Sequence, residues 1–339
     1  MKKIAIILAA AAAFAACTKS EISYEGTQEI GFAPATKNVT KAEGRPAGAL
    51  ETNQELGVWA YWDNDVTVGD NGIVDDPTYT GYTDEYLNNA LFAYKASASA
   101  WGGAGNGYPW PVNGALVFAG YTTPTDGAVL ADSAVDYDLL NDKVTFTNYT
   151  NTEFDLCWFG RTFNAYNYRS AGTAVDVTLQ HALSWITVAV YGVGTPVNNW
   201  TINSITLANV ATAGTATCAG ATGKATWEGS AFSSETAPLT IFSGNHTITA
   251  GTTEGSTTTG ATLSNNILIP SESVELTVNY SFPVNGVDKT DSKTITLNEN
   301  QTWESGIHYT YTLVFKGNEI LVAPSYGEWG SSDQTITVE

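Results

Sequence analysis

An all-β fold is the class this sequence predicts, and three observations carry the prediction. Short runs of β-branched and aromatic residues recur along the chain with alternating polarity, each broken by Gly, Asn, Asp or Pro. Aromatic residues are 12% of the 339 positions, with 17 Tyr and 10 Trp, types suited to pleated and half-buried surfaces. A single stretch, "DEYLNNALFAYK", is a helix candidate. Many short strands between turns indicate β-sandwiches, and the length suffices for two domains.

The chain opens on an export signal. Lys2 and Lys3 precede an apolar run from Ile4 to Phe14 and the small pair Ala15-Ala16. That run is too short to span a hydrocarbon core, which needs about 20 apolar residues. Cys17 follows directly. Cut by the ordinary peptidase, the signal would leave Cys17 as an incidental thiol. Phe14-Ala15-Ala16-Cys17 instead resembles the lipobox of bacterial lipoproteins, in which cleavage after Ala16 leaves a diacylglyceryl-modified Cys17 as the new N-terminus. Acyl chains contribute ~0.8 kcal/mol per buried CH₂, so two or three of them anchor firmly.

Past the signal, Ile30 and Phe32 alternate as a strand does, and Lys37, Lys41 and Arg45 follow in a segment rich in Thr, Ala and Gly. "LGVWAYW" is the next strand. The loop "DNDVTVGDNGIVDDP" then presents Asp63, Asp65, Asp70 and Asp75, oxygen donors of the kind Ca²⁺ takes. Their spacing does not match the D-x-[DN]-x-[DN]-G loop, which favours a plain solvated acidic loop over a calcium site. Trp59, Trp62, Trp101 and Trp110 are read as sandwich core rather than as platforms for sugars. "KVTFTNYT", "AVDVTLQ", "SWITVAVYGV" and "WTINSITLANV" continue the strands. Residues 211–235 and 249–265 are rich in Thr, Gly and Ala and read as long turns or mobile loops. In "SVELTVNYSF", Val274, Leu276, Val278 and Tyr280 share one face, the period of a half-buried antiparallel strand. "SKTITL" and "YTYTLVF" follow, and "QTITVE" ends the chain with Ile336 and Val338 on one face. A domain boundary is expected near residue 175.

Composition excludes some functions. With 34 acidic residues against 14 basic ones, a formal charge of −20, the chain is a poor ligand for nucleic acid, whose affinity comes from Lys and Arg on phosphates. The sequence holds three histidines and neither an HExxH pair nor a GxSxG elbow. "CAGATGKAT" has cysteine where a phosphate loop needs glycine, and alanine where it needs Ser or Thr. His181 reads as a hydrogen-bonded structural residue rather than a catalytic base. Cys157 is most simply a small buried side chain, and its pairing with Cys218 is disfavoured because the two are expected in different domains. No cofactor, metal or enzymatic activity is expected.

Several segments together resemble the fimbrillin family, the lipoprotein-derived subunits of type V pili. They are "QEIGFAPATKNVTKA", "LGVWAYW", "YPWPVNGALVFAGYTTP", "LQHALSWITVAVYG", "NNILIPSESVELTVNYSF" and "TWESGIHYTYTLVFKGNEILVAPSYGEWG". The resemblance implies two tandem transthyretin-like β-sandwich domains after a lipoprotein signal peptide. Residues 1–16 would be that signal, 17–45 a propeptide with the first strand, 46–175 the N-terminal sandwich, and 176–339 the C-terminal sandwich with a terminal donor strand. It further implies a structural subunit of a surface fimbria that supports adhesion and reaches the outer membrane as a lipoprotein. A trypsin-like protease would cut at Lys41 or Arg45 and remove the strand of Ile30 and Phe32. The donor strand of Ile336 and Val338 would then fill a neighbour's groove; Arg45 precedes Pro46, which favours Lys41. Expected partners are further copies of the chain, other fimbrial subunits, the outer membrane through the lipid, and a host or bacterial surface ligand. The alternatives are a fimbrial tip or accessory adhesin and a surface-anchored glycan-binding lipoprotein.

Overall fold

The computed structural model describes residues 24–36, 52–63, 84–111, 114–123, 127–150, 154–162, 172–193, 200–248, 250–251, 261–299, 301–316, 319–328 and 334–335, and among them the fold is all-β, without a helix. Seven strands close into a barrel, in the order β10 (Cys157–Thr162), β11 (Val175–His181), β2 (Gly31–Thr36), β5 (Ala100–Gly103), β4 (Asp84–Lys95), β3 (Glu55–Asp63) and β7 (Ala115–Thr123). Its interior holds Phe32, Leu56, Val58, Phe92, Phe118 and Phe159. β3 and β7 are buried on both faces, so "LGVWAYW" reads as one apolar run. Val58 and Trp62 point into the barrel, whereas Trp59 and Tyr121 point outward beneath a second sheet.

That second sheet runs β15 (Lys224–Phe232), β14 (Ala211–Ala219), β9 (Lys143–Thr150), β8 (Val135–Asp138). Small residues bring it close to the barrel: a Cβ added at Gly160 would lie 2.9 Å from the Gly220 Cα. A third sheet contains β17 (Ala250–Gly251), β12 (Ser184–Val193), β21 (Ile307–Lys316), β22 (Glu319–Glu328) and β23 (Gln334–Thr335), with β18 (Ala261–Leu268) also paired to β12. It shares one apolar cluster, including Ile186, Val188, Leu276, Val278 and Leu313, with a sheet of β16 (Leu239–Ile248), β13 (Trp200–Ala208), β19 (Glu275–Val284) and β20 (Val287–Thr296). Two inner faces meeting over one core is the packing of a sandwich. A short pair, β1 (Tyr24–Glu29) with β6 (Pro109–Pro111), completes the set.

Three expectations are corrected. "DEYLNNALFAYK" is strand β4 rather than a helix. Its inward residues Leu87, Ala90 and Phe92 break strict alternation because Asn89, at φ 46°, sits where the pairing with β3 shifts register. Such a bulge inserts a residue and disguises the period of two. Residues 211–232 form the β14–β15 hairpin instead of a loop, with Ala216 and Cys218 in the layer beneath. Within 249–265, Ala250–Gly251 and the start of β18 are strand. Val175 begins β11, which pairs with β2 in the barrel, while β14 pairs with β9. Sheet pairing crosses that point because Val175, Val177 and Leu179 alternate into the barrel core.

Candidate functional site

The N-terminal strand is the first candidate. Ile30 and Phe32 have no exposed surface, and the Phe32 ring centroid lies 4.9 Å from that of Phe92 and 5.1 Å from that of Phe118, both edge-on. Burying each side chain contributes roughly 1.5–3 kcal/mol. Hydrogen bonding is lopsided. β2 runs parallel to β11 over five pairs, from Val175↔Phe32 to Leu179↔Thr36, but meets β5 only at Gly31↔Gly102 and Phe32↔Trp101. The Ile30 N–H donates to the Tyr108 carbonyl at 2.7 Å. Lys95 Nζ approaches Glu29 Oε2 at 3.2 Å on the surface, a pair worth about 0–1 kcal/mol. The strand is thus held by its ladder to β11 and by the buried Ile30 and Phe32 side chains, in a slot between β5 and β11.

The C-terminal end is the second. β22 pairs with β21 along its whole length, from Ile307↔Glu328 to Lys316↔Glu319. Among the described residues β23 pairs with β22 at Ser325↔Thr335 and Tyr326↔Gln334. Leu321 and Tyr326 of β22 are 47% and 42% exposed. Ala16, Cys17, Lys41, Arg45, Asp65, Asp70, Asp75, Ile336 and Val338 lie outside the described residues.

Other expected residues take definite places. Asp63 is not on a solvated loop: it ends β3 opposite Ala115 and is buried. Trp59, Trp62, Trp101 and Trp110 are all buried core residues, as read from the sequence. Trp101 Nε1 donates to the Gln54 carbonyl at 2.7 Å. Cys157 and Cys218 are buried thiols in separate clusters and are not joined by a disulfide, and burial pushes the Cys218 thiol well above its ordinary pKa.

A polar cluster that sequence reading missed closes one end of the barrel. His181 Nδ1 lies 3.2 and 3.1 Å from the Asp155 oxygens and 3.4 Å from Cys157 Sγ, all three residues being buried. Cys157 and His181 are direct partners across β10 and β11, and Asp155, two residues before Cys157, returns to the same face. The one signal was the D-x-C spacing of "FDLCWFG"; the register with His181 is a long-range fact. A nucleophilic relay needs the base to face nucleophile and carboxylate through different ring nitrogens. Here both use Nδ1, so the trio is not arranged as one. It is instead the group among the described residues that could hold a metal ion.

The sequence matches a family model described as fimbrillin-like over residues 40–329. No curated protein matches it. Among solved structures, a fimbrial protein from Bacteroides vulgatus ATCC 8482 superposes with a TM-score of 0.55 at 16% identity, covering 89% of this chain and 100% of that one. A candidate cell adhesion protein from Bacteroides uniformis ATCC 8492 gives 0.51 at 15% identity, covering 89% and 99%. At such identities the likeness speaks for the fold.

Proposed function

We propose, from the premise that this chain belongs to the fimbrillin-like family, that it is a structural subunit of a cell-surface fimbria that polymerises by exchanging strands. The family is one of fimbrial and adhesion proteins, which makes other fimbrial subunits its partners and the cell surface its place. Within that class the reading is specific. The precursor carries its lipid on Cys17 at the outer membrane, and β2 plugs the barrel. Cleavage at Lys41, with Arg45 as the second candidate, releases the segment that contains β1 and β2. The terminal strand of a second copy, with Ile336 and Val338 facing inward, then fills the slot.

The observation that carries this reading is the slot itself. Fully buried Ile30 and Phe32 are supplied by a strand close to the N-terminus, with only two residue pairs to β5, and basic residues follow it directly in the sequence. Losing such a strand uncovers an apolar groove between β5 and β11, and an incoming strand recovers the burial and about 0.5–1.5 kcal/mol per ladder hydrogen bond. Among the described residues β23 has two pairs to give up, so its release from β22 costs little.

The test places a specific protease site after Lys41 and follows size-exclusion elution and electron micrographs before and after cutting. Cut chains should assemble into filaments, and cut chains lacking residues 334–339 should remain monomers. A cut chain that stays monomeric at high concentration, with its barrel amides still protected from exchange, would refute strand exchange.

A further inference from the structure

We infer that Asp155, Cys157 and His181 form a zinc site that clamps β10 to β11 at the mouth of the barrel. Their donor atoms all lie within 4.8 Å of one another. A tetrahedral zinc ion with Zn–N of ~2.0 Å and Zn–S of ~2.3 Å sets its ligands ~3.5 Å apart for N and S, and ~3.3 Å apart for N and O. The measured separations are 3.4 Å from Nδ1 to Sγ and 3.1 Å from Nδ1 to the nearer carboxylate oxygen. The donor set also selects the metal. One thiolate, one imidazole and one carboxylate suit a borderline-soft divalent ion and not calcium, which takes oxygen alone.

The surroundings hold the trio in place. The Cys157 N–H donates to Thr122 Oγ1 at 2.8 Å, and the Thr122 hydroxyl donates to the Asp155 carbonyl at 3.1 Å. One side chain of β7 therefore fixes the backbone that presents two of the three ligands, the kind of outer support on which metal sites depend. Charge balances as well. Binding draws one proton from the Cys157 thiol into solvent and uses the Nδ1 lone pair, so one thiolate and one carboxylate meet a dication. Two anions buried together with no cation would be costly. The site lies two residues along β11 beyond Leu179, the partner of the last residue of β2. Zinc there would tie the two strands together where β2 leaves the barrel. Three protein ligands leave one tetrahedral position for water.

The experiment uses the full chain with Cys17→Ala, reduced and chelated, then titrated with cobalt(II) as a spectroscopic probe. One equivalent should bind, with thiolate-to-cobalt charge-transfer absorption and the visible bands of a tetrahedral ion, and added zinc should bleach both. Cys157→Ser should abolish the charge-transfer band and weaken cobalt binding at least tenfold, whereas Cys218→Ala should leave both intact. Zinc should also raise the melting temperature of the parent by a few degrees and leave Cys157→Ser unmoved. A folded parent chain that binds less than a tenth of an equivalent overturns the proposal, and this reading needs no variant to fold. Bound cobalt without the thiolate band, or a band that survives Cys157→Ser, overturns it equally.

Discussion

Tyr121 lies so close to Gly57 that a Cβ there would meet its ring at 2.4 Å. Its hydroxyl donates to Asn89 Oδ1 at 2.9 Å and accepts the Leu130 N–H at 2.8 Å. Burial is the main reason its ionisation is pushed far above the ordinary value of 10.0. Burial does the same for Tyr137, helped by the Asp142 charge, and for Tyr311, where the Trp303 N–H bond pulls weakly the other way. The sign follows from linkage. Below pH 10.0 these phenols are neutral in folded and unfolded chains alike, and their contribution is intact. Above it the unfolded chain ionises while the folded one resists, so stability falls as pH rises. A titration followed by phenolate absorbance should therefore have two phases. Exposed tyrosines ionise first, and Tyr121, Tyr137 and Tyr311 ionise only together with loss of the near-ultraviolet circular dichroism. Ionisation of all 17 with that signal retained would contradict the burial described here. Single residues of this kind were legible in the sequence where one apolar face sufficed, as with the four tryptophans. Asp155 was not, because its role depends on a register that sets His181 beside it from 26 positions away.

Among the elements, β4 carries most of what local pattern hid. Asn89 adopts φ 46° and is buried, its side chain spanning from the Tyr121 hydroxyl to the Leu130 carbonyl at 2.7 Å. Asparagine tolerates the left-handed region better than other non-glycine residues, and here it also satisfies two buried partners across the layer. Asn89→Ala should lose both the bonds and the backbone preference, costing about 1–3 kcal/mol in urea unfolding. Asn89→Gly restores the backbone freedom alone and should recover part of that loss. Equal stability of both variants with the parent would show that the bulge needs no side chain. The same bulge gives the segment its helix-like spacing: an extra residue turns spacings of two into three. The Ala/Thr/Gly strands β14 and β15 were hidden by a different cause. Small residues read as loop in isolation, yet they are what allows a second layer to approach the barrel as closely as Gly160 and Gly220 do. Strands that alternate large apolar residues, such as β19, needed no such context.

On the scale of the whole chain, sheet pairing and hydrogen bonds join residues before position 175 to residues after it. β11 lies beside β2, and β14 lies beside β9. The Ala182 N–H donates to the Leu156 carbonyl at 2.8 Å, and the Gly220 N–H donates to the Asp142 carbonyl at 2.9 Å. Composition and periodicity announce an all-β chain, but they do not tell which distant strand closes which sheet, since pairing is set by three-dimensional register. A cut at the expected boundary therefore has a physical consequence. Residues 1–175 made alone would leave β2 without its parallel partner and β9 with an open edge, and residues 176–339 would hold β11, β14 and β15 with no barrel to cover. Exposed edges and apolar faces of this kind aggregate. Each half expressed separately should be insoluble or protease-sensitive, and co-expression should recover a soluble complex that melts in one transition. Two soluble halves, each melting cooperatively at the temperature of the intact chain, would mean that the shared strands add little. In that case removal of β2 alone would be a smaller disturbance than the geometry of its slot requires.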